Sequence, residues 1–171
     1  MKTTFLTLLL ILSITLFCKA QSTKNYTNIT KLYEDFPKVL KSNNWRVIDD
    51  YFNKILVNKS TMGYMEEHEL SYGDFRYNAL RIEPLIIHFF KIHYLNYVLK
   101  FRLRLKERNL LQNLTFVSAD RPPEIVNKKL GIQLSETLIT LKSGTRTILC
   151  KLGEIYKVEG EWRVFTTPKF W

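Results

Sequence analysis

Cysteine is nearly absent. The chain has two, and Cys18 lies in an apolar N-terminal run, so Cys150 alone would remain once that run is removed. An intramolecular disulfide is then excluded, and the fold has to be stabilised by packing. Acids are also scarce: 16 Asp and Glu stand against 26 Lys and Arg, for a formal net charge of +10. No uncharged apolar run reaches the ~20 residues that a membrane-spanning helix needs. There is no glycine-rich phosphate loop, no serine-centred nucleophile elbow, no H-E-x-x-H pair and no Cys/His cluster. These absences remove the readily recognised nucleotide, hydrolase and zinc-site patterns, and no cofactor is expected. The basic residues are dispersed rather than blocked, and no sheet-plus-aromatics RNA signature occurs, so nucleic acid is not an expected partner.

What is present begins with a leader. Lys2 supplies a positive start, residues 5–17 (FLTLLLILSITLF) form an uncharged run of 13, and Cys18-Lys19-Ala20 places small residues two positions apart before Gln21. That order is what a signal peptidase reads. Residues 1–20 are expected to be a signal peptide cleaved between Ala20 and Gln21, which makes the rest secreted or periplasmic, with membrane contact only through the leader. A retained anchor and a lipoprotein acylated at Cys18 are the alternatives. The run is short for the first, and bulky Phe17 precedes the cysteine in the second. Cleavage leaves 151 of the 171 residues and removes Lys2 and Lys19, so the net charge falls from +10 to +8. A chain of that size suits one domain, and its basic surface suits solubility or an anionic partner.

Residues 21–30 are polar and read as a flexible lead-in, with residues 31–171 as the single domain. Asn-X-Thr/Ser sequons stand at Asn25, Asn28, Asn58 and Asn113, and they matter only in a eukaryotic secretory pathway. Thr30 is a candidate cap for a first helix carrying Leu32, Tyr33, Phe36, Val39 and Leu40 at helical spacing, which Pro37 is placed to kink or divide. Ser42-Asn43-Asn44 is a break and a cap. A second helix is predicted over 45–57, with Trp45, Ile48, Phe52 and Ile55/Leu56 as its apolar stripe. Residues 58–77 read as loops around a short helix. Glu83-Pro84 fits a helix start, and residues 85–99 are apolar on nearly every side, the mark of a buried helix. The alternation of 101–105 (FRLRL) is compatible with a switch to strand. Beyond it the period is two: a short strand at 114–117, a break at 120–123, a longer strand at 132–141, and a third over 145–151 and 155–158 bent at Gly153. Glu159-Gly160 is a hairpin turn, 162–165 closes the sheet, and Pro168 ends it. Helices first and an antiparallel meander after them make an α+β pattern.

The run from Gly153 to Phe165 (GEIYKVEGEWRVF) resembles the closing hairpin of NTF2-like, cystatin-like domains, and in particular exported bacterial members of unknown function. The resemblance implies N-terminal helices packed against a curled sheet that forms a cone. It also implies that the open end of the cone takes a small apolar ligand or a protein partner, with Phe89, Tyr94, Tyr97 and Trp162 as candidate lining. Family members include enzymes and pure binding modules, so fold does not choose function. The expectation is a non-catalytic binding protein. The alternatives are a cone-pocket isomerase or hydrolase with His88 or His93 as base, and a binder of anionic envelope polymer. His88 and His93 lie five apart, about 140° around a helix, too far round to share a metal. The acid–imidazole run Glu66-Glu67-His68-Glu69 and the pair Asp49-Asp50 read as solvated, with a weak divalent-ion site as the sharper option for the former. Cys150 reads as an inward, inert thiol. The oligomeric state is open, a homodimer included.

Overall fold

The computed structural model describes residues 25–72 and 84–171. The leader, its cleavage site at Ala20 and Gln21, Cys18 and the start of the lead-in lie outside the described residues, as do residues 73–83.

Four helices come first: α1 (Ile29–Lys41), α2 (Trp45–Ile55), α3 (Lys59–Glu67) and α4 (Pro84–Glu107). Asparagine starts the first three. The side-chain oxygens of Asn28, Asn44 and Asn58 accept backbone N–H groups of the first turn, at 2.9 Å from Thr30, 3.0 Å from Arg46 and 2.9 Å from Thr61. Each satisfies a donor that the helix itself leaves free. Asn28 therefore takes the capping place expected of Thr30, and two sequon asparagines serve as caps. Pro37 neither divides nor ends α1; it is buried within it. Two arginines close the other ends. Arg102 donates to Leu40 O at 2.7 Å and Ser42 O at 2.9 Å, and Arg163 donates to Lys54 O at 2.6 Å. A guanidinium at a helix C-terminus meets both the free carbonyls and the negative end of the dipole.

Residues 25–28 are not a loose lead-in. Tyr26 O accepts the Trp162 N–H at 2.8 Å, and the Asn25 amide donates to Glu161 at 2.7 Å, so this segment covers the free edge of the last hairpin. An unpaired strand edge is otherwise a liability.

Eight strands follow: β1 (Leu114–Ala119), β2 (Glu124–Asn127), β3 (Ile132–Ser135), β4 (Ile139–Ser143), β5 (Arg146–Lys151), β6 (Ile155–Val158), β7 (Glu161–Val164) and β8 (Lys169–Phe170). They form two antiparallel sheets of four, ordered β1-β4-β5-β8 and β2-β3-β6-β7, and neither closes. The fold is α+β, as the helix-then-meander order predicts. The single curled sheet is replaced by two because one long hairpin folds over at a corner. Its arms are β3–β4 and β5–β6; the outer halves pair in one sheet and the inner halves in the other. Gly153 makes the second bend, with φ +109°, and an added Cβ there would lie 2.3 Å from Thr166 O. The first bend, at residues 136–138, splits the strand expected over 132–141. There the Arg121 guanidinium holds Glu136 O at 2.7 Å, and the Glu136 carboxylate pairs with Lys151. Glu159 and Gly160 form the expected β6–β7 turn, both at positive φ. Pro168 does not end the sheet, because β8 follows it and pairs with β5.

Helix α4 departs from expectation twice. It stays helical through residues 101–105, since Phe101 and Leu105, four apart, face the core together and Arg102 is the cap of α1. It is also not buried all round. Ile87, Phe90, Tyr94, Val98, Phe101 and Leu105 form the inner stripe, while Leu85, Phe89, Ile92, Leu99 and Leu103 are 39–59 % exposed.

Candidate functional site

The space between helices and sheets is filled. Phe36, Phe52, Tyr94 and Phe165 are fully buried there, with Tyr33 and Tyr51 beside them. Tyr94 spans this core and donates its hydroxyl to Leu152 O at 2.7 Å. Burial pushes the phenols of Tyr33, Tyr51 and Tyr94 up, as each would lose water on ionising. A short chain of buried hydroxyls runs from Tyr33 to Ser135 and on to Thr137, each step 2.8 Å, and ends on Arg121 O at 3.2 Å. No sequence pattern marked it, because its members come from α1 and the corner of the sheet. It satisfies itself and offers no free group to a ligand.

The residues singled out in the sequence are dispersed. Tyr94 and Trp162 are core side chains. Phe89 is 59 % exposed on α4. His88 and His93 are exposed, His93 standing edge-on to the Tyr97 ring at 4.9 Å. His68 is exposed, stacked on Tyr64 at 4.1 Å, with Nδ1 2.9 Å from Tyr64 O. Asp49 pairs with Lys91 across to α4 at 2.8 Å, and Asp50 pairs with Lys54 at 2.6 Å. Cys150 is wholly buried, and burial pushes its thiol well up, so it is no nucleophile at neutral pH. Among the described residues no three His, Cys, Asp or Glu side chains stand close enough to hold a metal ion, and no helix is long and apolar enough to cross a membrane.

Of the four expected lining residues, Tyr97 borders an open cleft. This cleft, about 640 Å³, lies between the C-terminal half of α4 and the strand β8. The tail is pinned from beneath. Phe170 stacks on Phe101 at 4.1 Å and 3°, and on Phe36 at 6.3 Å. Trp171 donates its backbone N–H to Leu149 O at 3.2 Å while its side chain stays 66 % exposed. The walls are thus Tyr97, Leu103, Pro168, Phe170 and Trp171, an apolar and largely aromatic set.

Three cations stand on the rim: Lys100 and Arg104 of α4, and Lys169 of β8. Lys100 and Arg104 are four apart, so they share one side of the helix. Arg104 lies in the last turn, where the helix dipole favours a cation, while Lys100 one turn earlier is its like-charged neighbour. None of the three belongs to an ion pair among the described residues, and no Asp or Glu side chain lines the cleft. The sequence carried one sign of this site, the i, i+4 basic pair; its other half comes from the far end of the chain and became visible only once β8 was placed.

The cleft can hold an apolar body against its aromatic walls and a negative group at its rim. No family model, no curated protein and no solved structure matches the chain.

Proposed function

We propose that this chain is an exported, non-catalytic binding module, an NTF2-like domain whose ligand is an anionic amphiphile: an acyl or similar apolar body carrying a carboxylate or phosphate. The observation that carries the reading is the cleft, whose apolar walls meet three cations that form no ion pair among the described residues, with no Asp or Glu in the lining. Pockets of a few hundred Å³ with apolar walls and a few polar groups are the usual form of a small-molecule site. The leader supports export, and the helix-then-sheet order with its closing β6–β7 hairpin supports the family reading. An enzyme built on His88 or His93 draws no support from the cleft, whose lining includes neither.

Calorimetric titration with dodecanoate, dodecanol and dextran sulfate tests the reading. Dodecanoate is expected to bind once per chain, with dodecanol weaker by about tenfold or more for loss of the charge. The Lys100→Glu/Arg104→Glu double variant should lose dodecanoate binding to a similar degree while keeping its melting temperature. Equal affinity for the alcohol, or binding of the polymer alone, would contradict the proposal.

A further inference from the structure

The exposed side of α4 has an order of which the cleft uses only Leu103. Leu85, Phe89, Ile92, Asn96, Leu99 and Leu103 are separated by four, three, four, three and four residues. On a helix of 3.6 residues per turn they fall within about 40° of one line, opposite the stripe that enters the core. The five apolar members are 39–59 % exposed, and Asn96 is exposed among them. Their line runs about 27 Å along the helix. This is the spacing of a heptad seam, with Asn96 at an a position.

We infer that the occupant of this face is the α4 helix of a second copy of the chain, antiparallel to the first. Three observations choose it. The spacing alternates three and four throughout, as knobs-into-holes packing requires and as a lipid surface or a lone small molecule does not. Asn96 stands in the middle of the stripe. Hydrocarbon would strip its amide of hydrogen bonds, whereas a single asparagine in a helix–helix seam fixes register and pairing. The charges set the direction. Lys100 and Arg104 lie in the C-terminal half, while Lys91, the cation of the N-terminal half, is already paired with Asp49. A parallel pair would bring both copies of Lys100 and Arg104 together, with unfavourable like-charge contact. An antiparallel pair sets them against the other copy's uncharged first turns.

With the two-fold axis between Ile92 and Asn96, every seam residue finds a partner: Leu85 meets Leu103 of the second copy, Phe89 meets Leu99, and Ile92 meets Asn96. The two Asn96 side chains then occupy adjacent central layers, within reach of each other. The seam exposes on the order of 600 Å² per copy, as large as the biggest apolar patch of an ordinary monomer and near the ~800 Å² per partner of a stable interface. This inference does not rest on the ligand reading: it shares Leu103 with the cleft and uses Lys100 and Arg104 only as charges that set the direction.

Sedimentation velocity on the purified protein, from about 1 to about 100 μM, tests it over the range in which interfaces of this size associate. The wild type is expected to sediment as a dimer. Ile92→Glu and Phe89→Glu should be monomers with unchanged circular dichroism, both positions being exposed. Asn96→Leu should tighten the dimer by about tenfold or more, as removal of a polar a residue does. For direction, Leu85→Cys and Leu103→Cys chains should cross-link when mixed and not when separate. A wild type that is monomeric throughout, a dimer that persists in Ile92→Glu, cross-linking of Leu85→Cys with itself, or a monomer that floats with anionic vesicles through this face would each overturn the inference.

Discussion

Helix α4 carries two apolar stripes of nearly the same composition with opposite fates. The inner one, Ile87 to Leu105, is covered by the other helices and by Phe170. The outer one, Leu85 to Leu103, is open. Hydropathy alone cannot tell them apart, because burial of a side chain is decided by what stands across from it. What the contrast teaches is that the same residue type stabilises the chain on one side and offers a surface on the other.

The contrast is broken most severely by truncation. Phe101→Ala removes a ring stacked on Phe170 and should cost about 3–5 kcal/mol. Leu103→Ala, two residues on, should cost less than about 0.5 kcal/mol in dilute protein. Urea unfolding of the two variants checks this, and equal losses would mean that the outer stripe is packed after all. Gly153→Ala comes next. It strains the bend beside Leu152, the acceptor of Tyr94, and puts a methyl against Thr166 O; a loss of about 2–4 kcal/mol is expected in the same assay. Tyr94→Phe leaves Leu152 O buried without its donor, a loss of about 1–2 kcal/mol.

The gentlest probe is alkali. Tyr33, Tyr51, Tyr94 and Cys150 have raised folded-state values, so above their unfolded values of 10.0 for tyrosine and 9.0 for cysteine the unfolded chain releases protons that the folded chain keeps. Stability is therefore complete below about pH 9 and falls as pH rises, with a slope approaching about 1.4 kcal/mol per unit for each ionising group. Cys150→Ala and Tyr94→Phe should each reduce that slope. A slope unchanged in both would mean that the inner side is wet.

Much of the fold was legible where a local signal decides it. The Ser42–Asn44 break, the Glu159-Gly160 turn and the bend at Gly153 each depend on a residue whose own backbone or capping preference makes the feature. The corner at residues 136–138 carries no such residue; Arg121 and Lys151, distant in sequence, hold it. Strand β8 escaped notice for the same reason, since Pro168 reads as a stop and the stacking of Phe170 on Phe101 and Phe36 overrides it. Tyr97, expected to line a cone, borders an open cleft instead. Lys169 and Trp171 were not legible, because only the folded tail brings them to Lys100 and Arg104.

The most direct test uses Trp171 itself. In a Trp45→Phe chain, buried Trp162 is a constant background and exposed Trp171 reports on the cleft. Titration with dodecanoate should shift the emission to shorter wavelength and saturate at one ligand per chain, with the shift absent in Lys100→Glu/Arg104→Glu. Emission that does not move while dodecanoate binds, or that moves equally in the charge-reversed chain, would contradict the account.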